Sequence, residues 1–275
     1  MKTVIYALIG GFINGMGFIS KKTAAKLALK LFTTPMKGFI KKEQLAFLDT
    51  AFKEEFNYKH HSIITYRWPG KGKTVLLIHG WESNSARWKN LVLRLKNQNY
   101  NIIALDAPAH GNSSGKQFTA VLYAEYINVV AARFNPNIII AHSVGAMSAT
   151  FALEKYSYPN MAKLILLGSP SEFKDILVRY TQTLYLNKRV SKALEELIQT
   201  KFNKKIDEFS TAKTSHQLRI DGLLFHDKLD TVIPYQDAVT INTHFKNSKL
   251  ISTEGLGHSL DHKEVYEHIE EFIEI

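Results

Sequence analysis

The chain has 275 residues, 45% of them hydrophobic, and no cysteine. That is enough apolar material to bury the core of one catalytic unit plus an accessory segment, while disulfide staples, thiol nucleophiles and cysteine-based metal sites are excluded. The formal net charge is +10, and residues 1–60 alone hold ten lysines against four acids. A nucleic-acid face would interleave arginines with aromatics, and these lysines instead follow an apolar start, so no nucleic acid is expected. An anionic membrane surface, met through residues 1–42, is the better electrostatic partner; a merely solvated basic arm is the plainer reading.

Residues 3–20 carry no charge, a run of about the minimum spanning length broken by four glycines and Asn14. Three readings stay open for it: a helix dipping into a membrane, a helix packed on the protein's own surface, or a cleaved signal. The first two leave the chain in the cytoplasm, with Lys21 and Lys22 on the inner side of any span, and the third exports it. Helical spacing returns over 24–32 and stops at Thr33-Thr34-Pro35, and a further helix is predicted over 41–52. Residues 1–55 read as a basic, apolar helical arm.

From residue 56 onward short β-branched runs alternate with helical patterns, the signature of a mostly parallel sheet covered by helices on both faces. Strands are predicted over 62–68, 74–79, 101–106, 137–142, 163–168, 222–226 and 249–253. Helices are predicted over 86–96, 119–134, 146–156, 235–245 and 263–272. Residues 171–215 interrupt the alternation with two helical patterns, 176–186 and 193–202. Among eleven histidines there is no H-E-x-x-H; His258 and His262 are the one helix-spaced pair, and no metal or organic cofactor is called for.

The stretch 138–146 reads IIIAHSVGA. A strand that turns abruptly into a helix needs small residues beside the turn, and such a turn holds Ser143 next to the first helical amides. The plainer alternative is a Ser-Gly turn ending a buried strand. A serine hydroxyl needs a base, and the base needs an orienting carboxylate, so an acid and a histidine are expected downstream, each just past a strand. GLLFHDKLDTVIP at 222–234 offers Asp227 and Asp230, and STEGLGHSL at 252–260 offers His258. LLIHGW at 76–81 ends another strand in a His-Gly turn.

Together these segments resemble the α/β-hydrolase superfamily. The pentad Ala141–Gly145 is similar to its G-x-S-x-G nucleophile elbow, with alanine at the first glycine. The order Ser143, Asp230, His258 is the superfamily's order, and residues 106–113 resemble its D-x-P-x-H-G-x-S loop, which carries no catalytic role. In the acid loop, Asp227 stands in the family's glycine position and Asp230 in the acid position, so Asp230 is preferred and Asp227 braces. The resemblance implies Ser143 as nucleophile, His258 as base and Asp230 as orienting acid, with the backbone N–H groups of Trp81 and Val144 as oxyanion donors. It also implies that 171–215 is a helical cap inserted in a 56–275 hydrolase domain. The expected activity is hydrolysis of a carboxylic ester or thioester of a small or acyl-chain substrate through an acyl-enzyme. A non-catalytic binding module, or a C–C hydrolase or acyltransferase with the same triad, are the alternatives.

Overall fold

The computed structural model describes residues 2–274. In chain order its elements begin with helices α1 (Lys2–Ile19), α2 (Lys21–Thr33) and α3 (Lys42–Leu48), then strands β1 (Phe52–Tyr58), β2 (His61–Trp68) and β3 (Thr74–Ile78). After them come α4 (Lys89–Asn97), β4 (Asn101–Leu105), α5 (Ala120–Phe134), β5 (Ile138–His142), α6 (Val144–Lys155) and β6 (Lys163–Leu167). The insertion supplies α7 (Phe173–Thr183) and α8 (Lys188–Phe202), and the chain closes with α9 (Thr211–Ser215), β7 (Asp221–Asp227), α10 (Tyr235–His244), β8 (Ser248–Thr253) and α11 (Lys263–Glu274). Among the described residues no helix is long and apolar enough to cross a membrane.

The chain divides into two compact units, residues 1–34 with 172–210, and residues 35–171 with 211–275. Residues 35–55, read from sequence as part of the arm, lie in the larger unit. That unit is built on an eight-stranded sheet in the order β1-β2-β4-β3-β5-β6-β7-β8, antiparallel at β1/β2 and β2/β4 and parallel from β4 to β8. The fold class is therefore α/β with a mostly parallel sheet, as predicted. The central strands are uninterrupted apolar runs because both faces are covered. Val75, Leu77, Ile138, Ile140, Ile165 and Leu167 point to one face, where α4 and α11 add Leu91, Leu95, Val265 and Ile269. Their neighbours in sequence point to the other face, where α6 packs on β3 and β5 and α10 on β7 and β8.

The departures from the predicted elements have local causes. Strand β1 was not foreseen: its edge position leaves Lys53 and Glu55 exposed, and it turns into β2 through Lys59-His60 with Lys59 at φ 56, a hairpin without glycine or asparagine. Helix α6 starts two residues earlier than its apolar pattern, because Val144 and Gly145 already complete the turn from β5.

In the smaller unit α2 packs on α8, and α1 touches α2, α7 and α8. Phe32 sits between Phe173 and Tyr180, with ring centroids 5.9 and 4.7 Å away. The hydroxyl of Tyr180 donates to Ala28 O at 2.7 Å, tying α7 to the buried side of α2.

Candidate active site

Ser143 is the junction of β5 and α6. Its backbone stands at φ 55, ψ −131, a conformation that side chains rarely adopt and that surrounding structure must enforce. Its N–H is held by Leu167 O on β6 at 2.8 Å. The helix beyond can lie this close to β3 only because residue 145 is glycine: a Cβ there would stand 2.3 Å from His79 O. Ala141, the departure from the family's glycine, is fully buried in β5 in register with Leu166, so its one methyl sits in the packed layer against the sheet. Val144, as the first residue of α6, has an N–H with no acceptor inside the helix.

The three widely spaced candidates meet. The Ser143 hydroxyl and His258 Nε2 are 3.0 Å apart, and His258 Nδ1 lies 2.7 Å from Asp230 Oδ2. Asp230 Oδ1 accepts the N–H groups of Val232 and Ile233 at 2.7 and 3.0 Å. Its side chain is fully buried, and His226 Nε2 stands 3.4 Å from Oδ2 while donating to Ile233 O at 2.9 Å. Burial by itself would raise the carboxyl pKa; hydrogen bonds from His226, His258 and the two amides outweigh it, so Asp230 stays ionised well below the usual carboxylate range.

Asp227 makes no bond to the histidine ring. Its Oδ1 accepts the N–H groups of Leu229 and Gly255, at 2.9 and 3.2 Å, and its Oδ2 accepts Thr253 Oγ1 and the Leu256 N–H, at 2.7 and 2.8 Å. One buried carboxylate thus fastens the turn that carries Asp230 to the loop that carries His258. Burial again acts to raise its pKa, and these donors win and lower it. A glycine here, as in the family pattern, would leave the amides of 255 and 256 without this acceptor.

The His-Gly turn after β3 lies against the serine: a Cβ on Gly80 would come within 2.8 Å of Ser143 Cβ. The next residue, Trp81, is framed by two neutral histidines. His79 Nδ1 donates to Gly80 O at 2.8 Å and its Nε2 accepts the Ala107 N–H at 2.9 Å. His110 Nδ1 donates to Pro108 O at 2.8 Å and its Nε2 accepts the Glu82 N–H at 2.9 Å. Burial lowers both pKa values, which keeps each ring in the tautomer these bonds require. The rings of His110 and Phe118 meet the Trp81 indole edge-on, each 5.4 Å away. Asp106 accepts Ser85 N–H, Ser85 Oγ and Asn112 N–H at 2.7–2.9 Å, which explains the D-x-P-x-H-G-x-S loop as a brace for the chain beyond Trp81.

Two further residues act on the histidine loop. His142 donates from Nε2 to His258 O at 2.9 Å, and burial holds it neutral. Arg87 donates from Nη2 to Ser259 O at 2.9 Å, stacked over the Trp88 ring. Burial pushes its guanidinium down to about 10. Neither His226 nor Arg87 stood out in the sequence: a spacing of four signals proximity only on a helix, and Arg87 bonds a backbone carbonyl far along the chain.

A strained serine at a strand-to-helix junction, with a histidine and an ionised carboxylate in line behind it, defines a class of hydrolase fold, and the comparisons agree. Residues 75–240 match the sequence profile of the alpha/beta hydrolase family, more than half of the chain, and the chain belongs to that family. It is 32% identical over 105 residues to a serine hydrolase-like protein of Danio rerio, covering 36% of this chain and 31% of that one. It is 27% identical over 110 residues to a non-heme haloperoxidase of Rhodococcus erythropolis, covering 38% and 40%. The chain thus spans well under half the length of these relatives. Among solved structures, the thioesterase domain from the curacin biosynthetic pathway superposes with a TM-score of 0.61 at 17% identity, over 82% of this chain and 99% of that one. Alpha/beta hydrolase domain-containing protein 10 from mouse gives 0.63 at 16% identity, over 82% and 99%. At these identities the likeness is one of fold.

Proposed function

We propose that the protein is a serine hydrolase that cleaves a carboxylic ester or thioester through an acyl-enzyme. The observation that carries this reading is the continuous line from Ser143 Oγ to His258 Nε2 at 3.0 Å and from His258 Nδ1 to Asp230 at 2.7 Å. Ser143 Oγ adds to the acyl carbon while its proton passes to His258 Nε2. The oxyanion so formed accepts hydrogen bonds from the N–H groups of Val144 and Trp81. Collapse of the adduct expels the alcohol or thiol, which takes the proton from His258. Water then repeats the sequence on the acyl-serine, releasing the acid and restoring the enzyme. Asp230 orients the ring and stabilises the imidazolium without itself being protonated. Each oxyanion donor is worth roughly 2.7–4 kcal/mol in the transition state.

An acyl substrate is favoured by the structural neighbours, which include a thioesterase domain and esterases. The test has two parts. A fluorophosphonate should label the folded protein at Ser143 and not label Ser143→Ala. A series of p-nitrophenyl esters of increasing acyl length should show turnover that S143A loses. Folded protein that resists the label favours a non-catalytic member of the family and overturns this reading.

A further inference from the structure

Helix α1 has two faces of opposite character. On one side Gly10, Ile13, Asn14 and Gly17 recur at three- and four-residue spacing and meet the rest of the smaller unit. Ile13 is fully buried, and a Cβ on Gly10 would fall 1.5 Å from Leu184 O. Asn14 donates to Tyr185 O at 2.9 Å and accepts the Asn187 N–H at 2.9 Å. This side docks residues 10–17 of the helix on its own unit, while residues 3–8 are exposed.

The other side carries Val4, Leu8, Phe12, Phe18 and Ile19, between 61 and 91% exposed, with exposed Gly11 and Gly15 between them. The same spacing places them in one stripe, and no charged side chain interrupts it between Thr3 and Ser20. The water-facing side of a surface helix is ordinarily polar, and an apolar stripe of this extent marks a surface that something covers. Ser20 caps the next helix, and Lys21 and Lys22 follow at once; Lys26 and Lys30 continue along the exposed side of α2. The first acid in the whole chain is Glu43. Of these four lysines only Lys21 has a carboxylate nearby among the described residues, Glu196 at 3.8 Å, with both groups more than half exposed.

We infer that this stripe and the lysines after it seat the protein on an anionic lipid bilayer, α1 lying in the plane of the interface with Leu8, Phe12 and Phe18 among the acyl chains. Charge decides the occupant. A second copy docking by the same stripe supplies no carboxylate for Lys22, Lys26 and Lys30, whereas acidic headgroups neutralise them and leave the long lysine stems to cover apolar surface. Attachment of this kind is independent of the reaction assigned above.

The experiment is co-sedimentation of the full chain with vesicles of phosphatidylcholine alone and of phosphatidylcholine mixed with phosphatidylglycerol. The anionic vesicles should bind at least about ten-fold more tightly at low salt, and added salt should erase most of the difference. Replacing Lys22, Lys26 and Lys30 by Glu should reduce binding to the neutral-lipid level. The combined change Leu8→Ser, Phe12→Ser and Phe18→Ser should weaken it on the order of 100-fold. Gly11→Leu with Gly15→Leu gives an independent arm, since a Cβ at either glycine meets nothing within 4 Å. Added leucines should tighten vesicle binding about ten-fold. Failure to bind anionic vesicles, or binding indifferent to the added leucines, overturns the proposal. So does lipid-free dimerisation in analytical ultracentrifugation that the leucines abolish, which would make the stripe a protein–protein face.

Discussion

The loops that leave β5 and β7 hold their candidate site side chains by different means. After β5 the constraint is steric: Ser143 sits at φ 55, and Gly145 lets the helix lie against the His79 carbonyl. After β7 the constraint is electrostatic: two buried carboxylates, Asp227 and Asp230, gather hydrogen bonds from amides, a hydroxyl and two imidazoles. A position held by contact distance tolerates no added atom and is indifferent to pH. A turn held by charge is weakened when that charge is removed or protonated, even where the shape is kept. The same site therefore has one half that volume should break and another that charge should break.

The largest effect is expected on the electrostatic side. Asp230→Asn keeps the shape of the turn but presents an amide to His258 Nδ1, favouring the wrong tautomer. Turnover of an activated ester should fall on the order of 10³- to 10⁴-fold, with much less change in KM. A loss under ten-fold would show that the carboxylate does not set the ring, and the comparison would fail there. On the steric side, Gly145→Ala places its methyl 2.3 Å from a backbone oxygen that cannot swing away. It should cost about 1–3 kcal/mol in urea unfolding, or more, and its effect should not vary with pH.

What could be read beforehand follows the same division. The candidates Ser143, His258 and Asp230 could be picked out because each follows a predicted strand within a short run of small or turn-forming residues. The preference for Asp230 over Asp227 rested on motif position; the structure adds the physical reason, since the four donors around Asp227 are all committed to bracing. Strand β1 was hidden by its charges, because an edge strand needs only alternate residues half-covered. The union of residues 1–34 with 172–210 was not readable at all. Contacts such as Asn14 with Tyr185, or Phe32 with Tyr180, join segments that share no periodicity and no motif.

Asp227 provides the pH test of the electrostatic half. Its folded pKa is lowered, so its contribution to stability is fully present above the unfolded carboxylate value, about 3.9, and is lost as pH falls through the folded value. Asp227→Asn should cost roughly 1.5–3 kcal/mol at neutral pH, because hydrogen bonds to a charged acceptor are replaced by weaker ones and one amide donor is misplaced. The gap between wild type and variant, followed by urea denaturation, should close as pH drops below about 4. Asp106, whose buried carboxyl is shifted upward, works in the opposite sense, but it is present in both proteins and cancels in the difference.

The smallest effect is expected at Ala141, and it marks the limit of the steric half. The residue is the fourth of five in β5, paired with Leu166 and fully buried, two positions before the strained Ser143. Restoring the family's glycine with Ala141→Gly removes a methyl whose space neighbouring side chains line, and adds backbone freedom to the unfolded chain. Both act against the folded state, by roughly 0.5–1 kcal/mol for the entropy and a similar amount for the lost contact. Catalysis should be unchanged within about two-fold, because Ser143 is placed by Gly145 and the Leu167 carbonyl rather than by residue 141. A ten-fold change in turnover with intact stability would show that the first small residue of the elbow, and not the last, sets the angle of the nucleophile.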